Sequence, residues 1–244
     1  MADQQENGTY ERVLVVAAHP DDPEFGFGAS IAKLAGDGAD VFYVICSDGC
    51  QGGEDPSVPD AELSATRYAE QRAAAEVLGV KDVIFLGFRD GYLAPNTELR
   101  KAISREIRRY KPDLVLTHLP VRSLGIGIGA SHPDHLAVGE ATMSAVYPDA
   151  RNPRAYPELL DEGLEAHKVK EVWLPGFDNP DHFVDATGLV DKKIEAILCH
   201  RSQFEGRVPR GDGGPGQWIK DRMRQTGEKA GFEYAEAFKK IQTG

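Results

Sequence analysis

The sequence predicts an α/β fold: a Rossmann-like, doubly wound, mainly parallel sheet in a single domain with a C-terminal elaboration. Three observations carry that expectation. Apolar runs of strand length alternate with helix-like segments through the first 150 residues, the pattern of repeated βαβ units with right-handed crossovers. The first such run, Val13 to Ala18, is apolar without interruption, as in a strand covered on both faces. No internal repeat interrupts the 244 residues, and no linker is long enough to separate one domain from another; one core can fill that length.

The elements follow in order. Residues 1–9 are polar and acidic and are expected to form a disordered tail, so the domain runs from 10 to 244. The strand Val13 to Ala18 ends in His19-Pro20-Asp21-Asp22 and gives way to a helix from Gly28 to Gly38. Asp40 to Cys46 is the second strand, and residues 51–60, rich in Gly, Pro and Asp, form a loop. Ala61 to Leu78 is an Ala-rich helix closed by Gly79. Val83 to Phe88 is the third strand, Thr97 to Tyr110 a helix stopped by Pro112, and Asp113 to Leu119 the fourth strand. A glycine-rich loop, Ser123 to Ser131, leads into His132 and a helix to about Val146. Further on, Glu171 to Leu174 and His182 to Asp185 predict short strands and Leu189 to Arg201 a helix. Arg207 to Gly216 is expected as a loop, with Trp218 to Met223 and Tyr234 to Ile241 helical.

A net charge of -11 argues against nucleic acid as a partner, since phosphate binding needs a basic surface. The basic stretch Arg100 to Lys111 suits the solvated face of a helix. No segment approaches the roughly 20 apolar residues of a membrane span, and the N-terminus lacks the apolar centre of a signal peptide. The odd set of cysteines, Cys46, Cys50 and Cys199, points to a reducing, cytoplasmic location.

In open α/β sheets, ligands bind beyond the carboxyl ends of the strands. His19 to Asp22, Asp48, Asp90 and the loop before His132 all follow strands, so they are expected to gather along one edge. Two quartets stand out: His19-Pro20-Asp21-Asp22 and His132-Pro133-Asp134-His135. Two imidazoles and a carboxylate make a three-ligand catalytic zinc site with one position left for water. Such a water, acidified to a pKa of about 7, is a usable nucleophile. A free carboxylate can take its proton and an imidazolium can stabilise the oxyanion. Either quartet alone would also suit a helix N-cap, and ferrous iron suits the same donors as zinc.

The two quartets together, with TRYAEQRAAAEVLGV (66–80), FLGFRDGYL (85–93), KPDLVLTH (111–118) and DKKIEAILCHRSQF (191–204), resemble the LmbE/PIG-L family of metal-dependent N-acetylglucosamine deacetylases. The resemblance runs from about Arg12 to the C-terminus. It implies a hydrolase that removes an N-acetyl group from an amino sugar, with Zn2+ or Fe2+ held by His19, Asp22 and His135. Asp21 would be the general base and then the general acid. His132 would stabilise the oxyanion, with Asp134 orienting its ring, and Arg67 and Asp90 would bind the sugar. A homo-oligomer is a further implication, and His200 would have a role in closing the pocket. One departure stands out: the family usually runs directly from the paired aspartates to an acid, whereas Pro23 here moves Glu24 on by one position.

Two alternatives follow from the same residues. One keeps the machinery but takes a sugar–thiol conjugate or another acylated amine. The other is a non-catalytic nucleotide- or metal-binding Rossmann-like module, for which Gly26-Phe27-Gly28 is a poor fingerprint, lying eight residues past the strand end.

Overall fold

A computed structural model describes residues 10–124, 127–204 and 214–244. The expected tail 1–9 and residues 207–213 of the expected loop therefore lie outside the described residues. In chain order the elements are β1 (Arg12–Ala17), α1 (Asp22–Gly36), β2 (Asp40–Ser47), α2 (Asp60–Leu78), β3 (Asp82–Phe88), α3 (Thr97–Tyr110) and β4 (Leu114–Thr117). These are followed by α4 (Pro133–Ser144), α5 (Pro157–Asp161), β5 (Glu171–Pro175), β6 (His182–Asp185), α6 (Val190–Leu198), α7 (Gly214–Ala230) and β7 (Ala235–Gln242).

The seven strands form one sheet in the order β3-β2-β1-β4-β5-β7-β6. Every pairing from β3 across to β5 is parallel, and β7 runs antiparallel between β5 and β6. The order of winding reverses between β1 and β4, which makes their carboxyl ends the topological switch point where such sheets bind ligands. β1 is buried on both faces, as its unbroken apolar run requires. Val13, Val15 and Ala17 pack under α1, α2 and α6, in company with Phe27, Leu78 and Ala196. Leu14 and Val16 pack on the other face, against Ile103 and Ile107 of α3 and Val138 and Ala141 of α4. No helix among the described residues is long and apolar enough to cross a membrane.

Three expectations need correction. Helix α1 starts at Asp22 rather than Gly28. Asp22 and Glu24 favour the positive end of the helix dipole, and Pro23 is pre-set for the first turn. The segment Tyr234 to Ile241 is mainly strand, not helix. Its Ala, Glu and Lys favour helix in isolation, but β5 and β6 supply ladder partners on both sides. The basic stretch of α3 is not simply a solvated face. Arg108 is fully buried and donates to the carbonyls of Asp149, Ala150, Asn152 and Ala155, while Arg100 pairs with Asp149 at 2.8 Å.

Two close contacts lock helices onto the sheet. A Cβ on Gly139 of α4 would lie 2.6 Å from the His118 carbonyl oxygen and 2.8 Å from Leu119 backbone atoms. Gly139→Ala is therefore expected to cost about 1–3 kcal/mol, read as a lowered Tm. The second contact is a buried ion pair, Lys193 Nζ to Glu236 Oε1 at 2.6 Å, set against α1. Lys193 also donates to the Phe25 carbonyl, and Glu236 accepts from the N–H groups of Ala29 and Ser30. Gly28 makes room for it, since a Cβ there would meet Lys193 Cγ at 3.0 Å. Glu236→Gln is expected to destabilise the fold by about 3–5 kcal/mol in denaturant unfolding, because the Lys193 ammonium loses its counter-charge in the interior.

Candidate active site

Beyond β1 the chain turns through His19, Pro20 and Asp21 into α1. Asp21 adopts φ 102° and ψ -30°, a conformation costing a non-glycine residue about 1–3 kcal/mol. Neighbours hold it there. Its N–H donates to Gln71 Oε1 at 2.8 Å, and Arg67 donates to the carbonyls of Pro20 at 2.6 Å and Gly49 at 2.7 Å. Arg67 also reaches Asp21 Oδ2 at 3.4 Å. Gln71 is oriented in turn by both oxygens of Glu24, at 3.0 and 3.1 Å, and Glu24 meets His200 Nε2 at 3.0 Å. Glu24 and His200 are fully buried. The displaced glutamate thus braces the turn from behind, and His200 does so with it rather than closing a pocket.

Three donor atoms converge beside this turn. Asp22 Oδ2 lies 3.2 Å from His19 Nδ1, Asp22 Oδ1 lies 3.0 Å from His135 Nε2, and the two ring nitrogens are 3.3 Å apart. The far nitrogen of His19 faces Asp90 at 3.0 Å and Asp134 at 3.2 Å. Carboxylates on Nε2–H leave the Nδ1 lone pair aimed at the other two donors, the usual outer support of a ligating histidine. Burial opposes charge on His19, but Asp134, Asp22 and Asp90 outweigh it and raise its pKa well above the ordinary value. That concentration of carboxylates is a field suited to a divalent cation, and the donor set fits zinc or ferrous iron. A second grouping, His19, His132 and Asp134, also converges. There, however, Asp134 already accepts from Gly91 N at 2.7 Å and Leu93 N at 3.2 Å.

Asp21 stands beside the cluster without joining it. Burial pushes its pKa up to about 6, against the pull of Arg67. Burial likewise opposes ionisation of Asp22, but His135 and His118 overcome it and hold that carboxyl well below the usual range. The two adjacent aspartates therefore differ in proton affinity, as a base and a ligand must.

His132 caps α4. Its Nδ1 accepts from the Asp134 N–H at 3.2 Å, so the neutral ring carries its proton on Nε2. Burial, with His19 nearby, lowers its pKa, which makes it a neutral donor rather than an imidazolium. Asp134 orients this ring through its backbone N–H, while its carboxylate faces His19 at 3.2 Å. Arg67 and Asp90, expected to grip a sugar, are 3% and 4% exposed. Arg67 holds the Asp21 turn, while Asp90 accepts from Gln51 N at 3.0 Å and faces His19. Asp48 joins the loops after β2 and β3 by accepting from Cys50 N and Asp90 N.

Two residues of the site, His118 and Gln71, are not singled out by the sequence patterns. His118, just beyond β4, stacks on His135 with centroids 4.2 Å apart and accepts from Ala18 N at 3.0 Å. Burial, with His135 beside it, lowers its pKa to about 4, so it stays neutral. The available signal was positional: His118 ends its strand as His19 ends β1. Gln71 carried a similar signal, one turn after Arg67 on α2. A cavity of about 710 Å3 opens beside the cluster, with Asp21, Asp22, His118 and His135 on its wall.

Comparison with known proteins bears on the family and the fold. A diacetylchitobiose deacetylase of Thermococcus kodakarensis is 35% identical over 194 residues, covering 80% of this chain and 70% of that protein. A probable N-acetyl-alpha-D-glucosaminyl L-malate deacetylase 2 of Bacillus anthracis is 32% identical, covering 80% of this chain and 83% of that one. The solved structure of N,N'-diacetylchitobiose deacetylase from Pyrococcus horikoshii, in complex with an inhibitor, superposes with a TM-score of 0.84 at 32% identity, covering 96% of this chain and 84% of that one. The PIG-L model, described as GlcNAc-PI de-N-acetylase, matches residues 14–146, a span that holds both quartets, and the chain belongs to that family.

Proposed function

We propose that the protein is a metal-dependent N-deacetylase that hydrolyses the acetamide of an N-acetylglucosamine-type substrate. The observation that carries this reading is a free carboxylate, Asp21, held in a strained turn beside the converging donors of His19, Asp22 and His135. A divalent cation on those three residues, zinc in the first instance and ferrous iron as the alternative, supplies Lewis-acid polarisation of the amide and a lowered water pKa. Asp21 takes a proton from the attacking water as its oxygen bonds to the carbonyl carbon. His132 donates Nε2–H to the developing oxyanion. When the C–N bond breaks, Asp21 returns the proton to the departing nitrogen, leaving acetate and a free amine. Arg67 and Asp90 act through the Asp21 turn and His19 that they hold, and Asp134 through His19.

The relatives named above are deacetylases of small N-acetylated sugars, which supports the substrate class. The three cysteines are free, in keeping with a reducing cytoplasm. The decisive assay measures acetate and amine from N,N'-diacetylchitobiose and a simple N-acetylglucosaminide, using protein loaded with zinc or iron. Equal amounts of both products are expected. Loaded protein that releases acetate from neither substrate would overturn the reading.

A further inference from the structure

Arg67 is tied to the Asp21 turn through its two terminal nitrogens. Nη1 donates to the Gly49 carbonyl at 2.7 Å, and Nη2 donates to the Pro20 carbonyl at 2.6 Å with Asp21 Oδ2 at 3.4 Å. Its Nε is buried without a partner among the described residues. The tie therefore depends on where the far end of the guanidinium lies.

That place is kept open by a glycine. A Cβ on Gly52, in the loop between β2 and α2, would collide with Arg67 Nη1 and lie 2.8 Å from its Cζ, with Gln203 Oε1 at 3.1 Å. The backbone does not ask for glycine there. Gly49 has φ 68°, which suits glycine, whereas Gly52 lies outside the left-handed region, so alanine can adopt its conformation. The loop is also pinned. Cys50 N donates to Asp48, Gln51 donates to Asp90 through both N and Nε2, and Gly52 N donates to the Gly49 carbonyl. A methyl group at position 52 would thus displace the end of an arginine side chain rather than the loop backbone.

Resting on the assignment of Asp21 as the base in the deacetylase reading above, we propose that Gly52 is a positioning residue: the absence of a side chain there lets Arg67 clasp the Pro20 and Gly49 carbonyls and so aim the Asp21 carboxylate. The turn at φ 102° is strained, so it moves once the clasp is lost. The loop after β2 acts on the base through one arginine, and the space at position 52 sets that arginine.

The test is a double-mutant cycle on zinc-loaded enzyme, read as acetate release from N,N'-diacetylchitobiose. Gly52→Ala is expected to lower kcat by about a hundredfold, the cost of misplacing a reacting group by about 1 Å, with KM and metal content close to wild type. In an Arg67→Ala background the added methyl group meets no guanidinium, so Gly52→Ala is expected to change kcat there by less than about threefold. Arg67→Gln, whose side chain ends short of the collision, replaces that background if Arg67→Ala does not fold. Circular dichroism and elemental mass spectrometry put all variants on an equal footing of folded, metal-loaded protein. A loop role independent of Arg67 would give the same factor in both backgrounds and overturn the proposal. Gly52→Ala with wild-type kcat, or with a loss carried by KM alone, would overturn it too. Each of those results leaves the deacetylase reading standing, whereas wild type that releases no acetate would overturn both.

Discussion

Asp21→Asn is expected to lower kcat by about a thousandfold, within the range that general acid–base groups contribute, while the fold and the metal content stay as in the wild type. Asparagine keeps the size of the side chain and tolerates positive φ better than most residues, so the turn at φ 102° is not asked to bear new strain. Gln71 still receives the Asp21 N–H, and Arg67 still has the carbonyls of Pro20 and Gly49. What disappears is the carboxylate that stands beside the three donors without joining them, and with it the group that would accept the proton. Asp21→Ala would confound that loss with a less favourable backbone. Circular dichroism and elemental mass spectrometry check the fold and the metal, and acetate release reads the chemistry. Activity within tenfold of wild type would remove Asp21 as the base.

Asp22→Ala is expected to eliminate both bound metal and turnover. About one zinc or iron per chain is expected in wild type purified without added metal, and less than about a tenth of that in the variant, because a three-ligand site rarely survives on two. Asp22 does more than ligate: its Oδ2 also accepts from the His19 N–H at 2.7 Å. The variant therefore also weakens the turn, and Asp22→Asn, which retains an acceptor, separates lost coordination from lost folding. Chelation of wild type followed by zinc should abolish and then restore acetate release. Wild type that contains no metal and refuses added zinc would remove the hydrolytic mechanism altogether.

Much of this arrangement is legible in the sequence because it rests on local patterns. The uninterrupted apolar run of β1 suits a strand buried on both faces, and the alternation of elements orders the parallel half of the sheet. Histidines and aspartates three apart at two strand ends then announce a cluster at the carboxyl edge. What the sequence conceals depends on long-range partners. His118 looks like a lone strand-end histidine until β4 lies beside β1 and stacks it on His135. The family resemblance implies a sugar contact for Arg67, and nothing local in the sequence tells that packing draws its guanidinium onto the carbonyls of Pro20 and Gly49. Asp134 follows His132 by two residues, but the helix it opens turns its carboxylate towards Gly91, Leu93 and His19. β7 has the composition of a helix and becomes a strand only because two edges await it.

The ion pair against α1 bears on how separable this enzyme's components are. The family match ends at residue 146, and every ligand and base assigned here lies before that point. Yet the helix that begins at Asp22 is fastened at Phe25, Ala29 and Ser30 by Lys193 and Glu236, and the glutamate behind Asp21 is met by His200. The signature is inscribed in the first half of the chain and tensioned from the second. A gene fragment cut at the motif boundary is thus expected to yield a polypeptide with every hallmark of the family and no working centre, and grafting the two quartets into another scaffold would fail without a substitute for the supports that the later residues supply. Here the recognisable motif is not a transplantable cassette.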